Sequence, residues 1–310
     1  MRILLTGASS FTGYWFARLL AEGGHEVIAP LRSAPEHYTG RRAARVAKLE
    51  GLVRLLPHCP FGSPPFLALI EAERFDFLCH HAAEVGDYRS PDFDVTAALA
   101  ANTRGLPEVL RKLAEKGLRG VVLTCSVFAP DEGMGEAPLR AFSPYGLSKG
   151  LTTAVFRHWC QVFGLPFGRF VISNPFGPLE ELRFCAYLLR TWQAGETAEV
   201  RTPRYVRDNV PVRLLARAYV DFVLSLPERK GESVLGPSLY AESQGAFAER
   251  FAREVRARTK FSCALRFAEQ SDFSEPLIRI NTHPLTLSAG EEKALWDEYI
   301  ELALAEPQGG

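Results

Sequence analysis

Residues 3–13, ILLTGASSFTG, decide the fold. An apolar run stops at Gly7, small and hydroxylated residues follow, and Gly13 leads into the apolar-rich stretch YWFARLLAEGG. A buried strand that turns sharply into a helix needs a residue without a Cβ at the turn. The first amides of that helix then have no partner within it. Amides at a helix N-terminus bind phosphate, so strand, turn and helix in this order read as the pyrophosphate turn of a dinucleotide-binding unit. Gly7, Ser10, Phe11, Thr12 and Gly13 are its expected cofactor contacts.

Outward from that turn, short apolar runs alternate with helical patterns. Strands are expected at 2–6, 26–31, 53–56, 77–81, 120–124 and 169–172, and helices at 12–22, 41–49, 64–73, 95–116 and 145–163. Strands separated by helices of ten or so residues imply a parallel sheet with right-handed crossovers. The strands are apolar throughout, as in a sheet covered on both faces. The expected fold class is a doubly wound α/β (Rossmann) sheet over residues 1–173. A smaller α+β substrate domain is expected over 174–310, with segments around 203–230 returning to the first. In that second part helices are expected at 212–226, 247–258 and 289–304, and strands at 199–202 and 233–235. The final EPQGG reads as a frayed tail.

The chain has 310 residues, with 36 Lys and Arg against 36 Asp and Glu. So even a balance gives no reason to expect nucleic acid or a membrane surface as partner. The cysteines at 59, 79, 125, 160, 185 and 263 form no Cys-x-x-Cys pair, which argues against a zinc site and a disulfide framework. No metal is expected. No apolar run reaches membrane-spanning length, and the N-terminal run lacks a cleavable pattern. A cytoplasmic setting is the expectation.

The strand EVIAPL is followed by Arg32 and Ser33, with no acidic residue to accept from the ribose hydroxyls of NAD. An Arg there suits a 2′-phosphate, so the cofactor is read as NAD(P), NADP favoured over NAD. Farther on, SPYGLSKG places Tyr145 and Lys149 one helical turn apart, with Ser143 as N-cap and Pro144 in the first turn. Tyrosine ionises near pH 10, so a phenolate needs help. The Lys149 ammonium and an oxidised nicotinamide are expected to lower the Tyr145 pKa and make it a usable acid and base.

With these motifs in place the chain resembles the extended short-chain dehydrogenase/reductase superfamily, and within it the NAD-dependent epimerase/dehydratase family that acts on nucleotide sugars. T-G-x-x-x-x-x-G matches the phosphate turn, with Ser10 at the middle glycine. DFLCHHAA resembles the strand end beneath the nicotinamide ribose, which assigns Ala82 and Ala83 to the cofactor. His80 and His81, adjacent on a strand, are expected to pack on opposite faces. NTRG supplies Asn102 near the active site, and ISNPFGP supplies Asn174 for substrate and Pro175 for the nicotinamide. In LTCSVFAP the resemblance puts Thr124 at the hydroxyl that polarises the reacting oxygen, with Ser126 second. Cys125 and Ser126 stand where 4,6-dehydratases carry Asp-Glu. VRDNVPV implies Arg207 as the diphosphate anchor, while Pro211 and Arg213 depart from the pattern.

The resemblance implies catalysis by Thr124, Tyr145 and Lys149, with Lys149 also on the nicotinamide ribose, a nucleotide-sugar substrate and a homodimer. The expected function is NAD(P)-dependent nucleotide-sugar epimerisation or 4-keto reduction, with hydride transfer at a sugar carbon. Three alternatives stay open: a dehydratase using Cys125, an NADPH-dependent reductase of small ketones or aldehydes, and a non-catalytic NADP-sensing regulator.

Overall fold

The computed structural model describes residues 1–88, 90–229 and 231–305, so the expected tail EPQGG lies outside the described residues. The first part of the chain runs β1 (Arg2–Thr6), α1 (Phe11–Glu22), β2 (Glu26–Pro30), α2 (Gly40–Leu49), β3 (Arg54–Leu56), α3 (Pro64–Ala72) and β4 (Phe77–His80). It continues through α4 (Val95–Asn102), α5 (Leu106–Glu115), β5 (Gly120–Ser126), β6 (Met134–Gly135), α6 (Pro144–Val162) and β7 (Phe167–Ile172).

After β7 the chain alternates between this layer and a smaller cluster of elements. In order these are β8 (Asn174–Phe176), α7 (Phe184–Gln193), β9 (Ala198–Val200), β10 (Val206–Pro211), α8 (Val212–Ser225) and β11 (Glu232–Leu235). There follow β12 (Pro237–Ser238), β13 (Tyr240–Ser243), α9 (Gln244–Arg256), β14 (Leu265–Phe267), β15 (Arg279–Ile280), β16 (His283–Pro284) and α10 (Ala289–Ala305).

Seven strands form one parallel sheet in the order β11-β7-β5-β4-β1-β2-β3. The fold is therefore the doubly wound one. Strand order reverses between β1 and β4, and a crevice opens at their carboxyl ends, where such sheets bind ligand. Thr6 and His80 face each other in register there.

Helices cover both faces. On one, α8 packs against α1, with Phe16 stacked on Tyr219 at 3.9 Å and both rings against Phe170. Burying a ring of this size contributes about 2–3 kcal/mol. On the other face, Phe156 of α6 stacks on His80, with Phe61 tilted against both. A third core joins Trp192, Phe176, Phe251 and Trp296 in the smaller cluster.

Two expectations are corrected. The single helix at 95–116 is two helices, because Gly105 takes φ +59° and Pro107 follows within the first turn of α5. A proline inside a continuous helix would remove an amide and clash with the carbonyl four residues earlier. The helix α7 and the strands β8, β10 and β13 were not expected. They are short or lack clean alternation; α7, β8 and β13 pack on the third core, and Val210 of β10 joins the core of Phe16 and Tyr219.

Candidate active site

The phosphate turn is built by close approach of backbone. Gly7 takes φ +81°, and a Cβ there would lie 2.7 Å from the Ala82 nitrogen. A Cβ on Gly13 would lie 2.2 Å from the Gly7 oxygen. Ser10, at the middle glycine position, turns its hydroxyl back into its own turn. It donates to the Gly7 oxygen at 2.9 Å and, as N-cap of α1, accepts from the Gly13 amide at 3.2 Å. The Phe11 and Thr12 amides come next in the first turn, which carries no acidic residue.

Beneath the turn lies His81. Its Nε2 sits 2.9 Å from Ser10 Oγ and 3.0 Å from Thr12 Oγ1. Because Ser10 already donates to Gly7, the network assigns the proton to Nε2. Burial pushes both His80 and His81 down to about 3, with the Lys149 charge adding to it, so both stay neutral. Their rings go to opposite cores, as expected: His80 to Phe61 and Phe156, His81 edge-on to Phe16. Thr6 Oγ1 accepts from the amides of His81 and Ala82, tying the two strand ends together. Helix end, paired glycines and the small Ala82 and Ala83 fit an anionic dinucleotide.

At the end of β2 the side chain of Leu31 is buried and Arg32 is exposed, 3.1 Å from the Glu84 carboxylate. Asn102 is spent within the fold. Its Oδ1 accepts from the Glu84 amide at 2.7 Å and its Nδ2 donates to Thr152, fastening the loop after β4 to α6.

Helix α6 begins as its sequence dictates. Ser143 Oγ accepts from the Gly146 amide, and Pro144 sets the first turn. One turn on, buried Lys149 donates from Nζ to the Thr124 carbonyl at 2.7 Å. Tyr145 lies edge-on to Tyr88 and Phe93, two rings from the loop after β4 that nothing in the sequence marked. Burial pushes the Tyr145 phenol up to about 12, with the Arg183 charge acting the other way and Tyr88 and Cys125 adding to the rise. The rise is the effect of burial in the protein alone, whereas the expected lowering depends on the oxidised nicotinamide as well as on Lys149.

Along β5 successive side chains alternate. Cys125 faces α6, with Sγ 3.3 Å from Thr153 Oγ1, and burial pushes the thiol up to about 11. Thr124 faces the other core beside the Tyr219 phenol, and its buried Oγ1 has no hydrogen-bond partner of good geometry. The structure thus joins Lys149 to the Thr124 backbone, while no hydrogen bond links the Thr124 hydroxyl to Tyr145. Ser126 Oγ accepts from the Phe128 amide at 3.2 Å.

On the side of the smaller cluster, β8 and β10 run parallel and set Asn174 opposite Asn209, with Pro175 opposite Val210. Asn209 Nδ2 is buried without a partner, a donor that the sequence reading missed. Arg207 is buried and donates to Glu275 at 2.7 Å and to the carbonyls of Val206 and Leu277. The loop from Gly177 to Arg183 closes over the phosphate turn. Trp15 Nε1 donates to the Pro178 carbonyl, and buried Arg45 on α2 reaches the carbonyls of Ser9 and Leu179 and the Glu181 carboxylate. In the same loop, buried Glu180 leaves Oε1 unpartnered, and burial raises its carboxyl to about 8 against the nearby Arg183 and Arg41 charges. Trp15, Arg45 and Glu180 gave no sequence signal, because a loop's packing partner is set by the fold.

Comparison with known proteins agrees with this layout. The model of the NAD dependent epimerase/dehydratase family matches residues 3–234. Among solved structures, the UDP-glucose 4-epimerase of Thermotoga maritima with UDP-glucose superposes with a TM-score of 0.75 at 18% identity, covering 97% of this chain and 98% of that one. The dTDP-glucose 4,6-dehydratase DesIV of Streptomyces venezuelae, with NAD bound, gives 0.71 at 21% identity, covering 97% of each chain. A mutant UDP-glucuronic acid 4-epimerase of Bacillus cereus, with NAD and a fluorinated substrate analogue, gives 0.75 at 15% identity, covering 98% and 99%.

Proposed function

The chain belongs to the NAD-dependent epimerase/dehydratase family of enzymes, and on that premise we propose that it epimerises or 4-keto-reduces a nucleotide sugar. The observation that supports this reading is the placement of Lys149, one turn after Tyr145 on α6, against the Thr124 carbonyl at the carboxyl end of β5. A bound nicotinamide supplies the hydride acceptor and donor. Gly7, Phe11, Thr12 and Gly13 would hold its pyrophosphate, with Ala82 and Ala83 leaving room at the strand end. Lys149 would pass from the Thr124 carbonyl to the nicotinamide ribose. Tyr145 moves the proton of the reacting hydroxyl or ketone. A phenol held near 12 stays protonated at neutral pH, so Tyr145 is present as the acid and is a weak one. Alcohol oxidation needs the positive charge of the oxidised cofactor beside the phenol. Thr124 or Ser126 polarises the reacting oxygen, and Asn174 and Arg207 hold the substrate.

For the dinucleotide the reading is NADP over NAD. It is supported by the buried Leu31 at the end of β2 and the exposed Arg32 next to it. Assembly is proposed as a homodimer through helices flanking β5, supported by Leu147 and Leu151, exposed one turn apart on α6. A second reading, reduction of small neutral ketones, is favoured by one contact, the Glu275 carboxylate already seated on Arg207.

The experiment is direct. Denature the purified protein, identify any released dinucleotide, then assay a panel of nucleotide sugars and simple ketones with both cofactors. Turnover of a nucleotide sugar, lost in Arg207→Ala, supports the first reading. Turnover of ketones alone, indifferent to Arg207→Ala, replaces it with the second. Tightly bound NAD would overturn the NADP preference.

A further inference from the structure

The ring of His81 fills the space between the end of β4 and the first turn of α1. A Cβ on Gly13 would lie 2.8 Å from its Cδ2, so ring and phosphate turn are in direct contact. From there Nε2 reaches Ser10 Oγ at 2.9 Å and Thr12 Oγ1 at 3.0 Å. The other ring nitrogen, Nδ1, is buried without a partner. That asymmetry assigns the tautomer. A buried N–H without an acceptor is rarer than an unused lone pair, so the proton belongs on Nε2, where it serves both hydroxyls.

Ser10 is the residue that needs such a partner. It stands between Gly7 and Gly13, where a dinucleotide turn ordinarily has a glycine so that backbone can approach the pyrophosphate. A glycine brings no side chain to that position, whereas a serine hydroxyl has three staggered positions to choose from. Here it is turned inward. It donates to the Gly7 oxygen at 2.9 Å and accepts from the Gly13 amide at 3.2 Å and from His81 Nε2 at 2.9 Å. The amide contact is at the long end for N–H···O, so the histidine supplies the shorter of the two bonds that the oxygen accepts. The same ring N–H holds Thr12, a β-branched residue whose χ1 is already restricted within a helix.

We propose that His81 is a positioning residue for the dinucleotide: its Nε2–H keeps the Ser10 hydroxyl inside the turn and out of the space the pyrophosphate takes. A chain with serine at the middle position thereby keeps the clearance that glycine would give. The inference rests on the phosphate turn's binding a dinucleotide, and adds to it a residue outside the turn that acts through Ser10 and Thr12. Serine at position 10 and histidine at position 81 are then a matched pair. With the serine gone, the histidine has only Thr12 left to hold.

The test is a double-mutant cycle on the full chain, read by fluorescence titration with NADPH and with NADH. His81→Leu keeps a side chain of similar volume under the turn and removes both bonds. It is expected to weaken dinucleotide binding about ten-fold, the scale of a lost buried hydrogen bond. His81→Gln, whose amide carries an N–H at similar reach, should recover most of that loss. In the Ser10→Gly background the same His81→Leu step should change affinity about two-fold at most. A loss of equal size in both backgrounds makes His81 a packing residue and overturns the proposal, as does unchanged affinity in His81→Leu. Should His81→Leu fail to fold, His81→Asn, whose shorter amide stops short of Ser10, takes its place in the cycle with the same expectations. If the unmutated chain binds neither NADPH nor NADH, the dinucleotide reading falls and the inference falls with it.

Discussion

The two sides of the crevice are finished to different degrees. On the phosphate-turn side, Gly7, Ser10, Thr12, Gly13 and His81 form a closed network, with backbone atoms too close to admit a Cβ. On the reaction side, Lys149 rests on a backbone carbonyl, the Thr124 hydroxyl and Asn209 Nδ2 lack partners, and Arg207 is held by an exposed carboxylate. The first side has its hydroxyls paired within the protein, although His81 Nδ1 and Glu180 Oε1 are buried without partners. The second leaves buried polar groups unpaired, Thr124 Oγ1 and Asn209 Nδ2 among them. A dinucleotide is the same molecule on every turnover, so its site gains from rigidity. A site that must protonate, release and exchange its substrate keeps polar groups that only the bound state satisfies.

Predictions that break or sharpen this contrast run from large to small. Tyr145→Phe should lower turnover about a thousand-fold while dinucleotide affinity, measured by fluorescence titration, stays the same. Loss of both together would mean that the two sides are not separate.

Glu180, in the loop that covers the turn, has a folded-state pKa of about 8 against an ordinary 4.5. Being raised, it contributes stability that is fully present below pH 4.5 and lost as pH rises through 8. Glu180→Gln should remove that decline and stabilise the fold by about 2–4 kcal/mol at pH 9, read from denaturant midpoints across pH. A decline that persists in the variant would place the titrating group elsewhere.

Gly13→Ala should destabilise by about 2 kcal/mol and abolish dinucleotide binding, because its Cβ meets the Gly7 oxygen. Tolerance of that alanine would show that the turn is looser than its geometry. The smallest effect is expected of Thr124→Val, which removes an unpartnered hydroxyl and should raise stability by about 1 kcal/mol. If turnover also falls ten-fold or more, Thr124 is the polarising hydroxyl. If turnover holds and Ser126→Ala loses it, the role belongs to Ser126.

Much of this was legible in the chain. Glycine spacing, strand–helix alternation, and the cap, proline and turn around Tyr145 are local signals, each set by a few neighbouring residues. The break at Gly105 was legible too, in Gly and Pro one residue apart, though the helical periodicity on either side concealed it. Tyr88, Phe93, Arg45, Glu180 and Glu275 were not legible, since each acts on a residue far along the chain.

The sequence by itself determined the doubly wound sheet, the phosphate turn and the Tyr145–Lys149 spacing, because backbone sterics and hydrophobic period act over a few residues. Only the tertiary structure decided that Ser10 closes its own turn, that the half-buried Tyr145 lies edge-on to two rings, and that Arg207 already holds an anion. Burial and charge pairing depend on which distant segments meet, and that is settled when the chain packs.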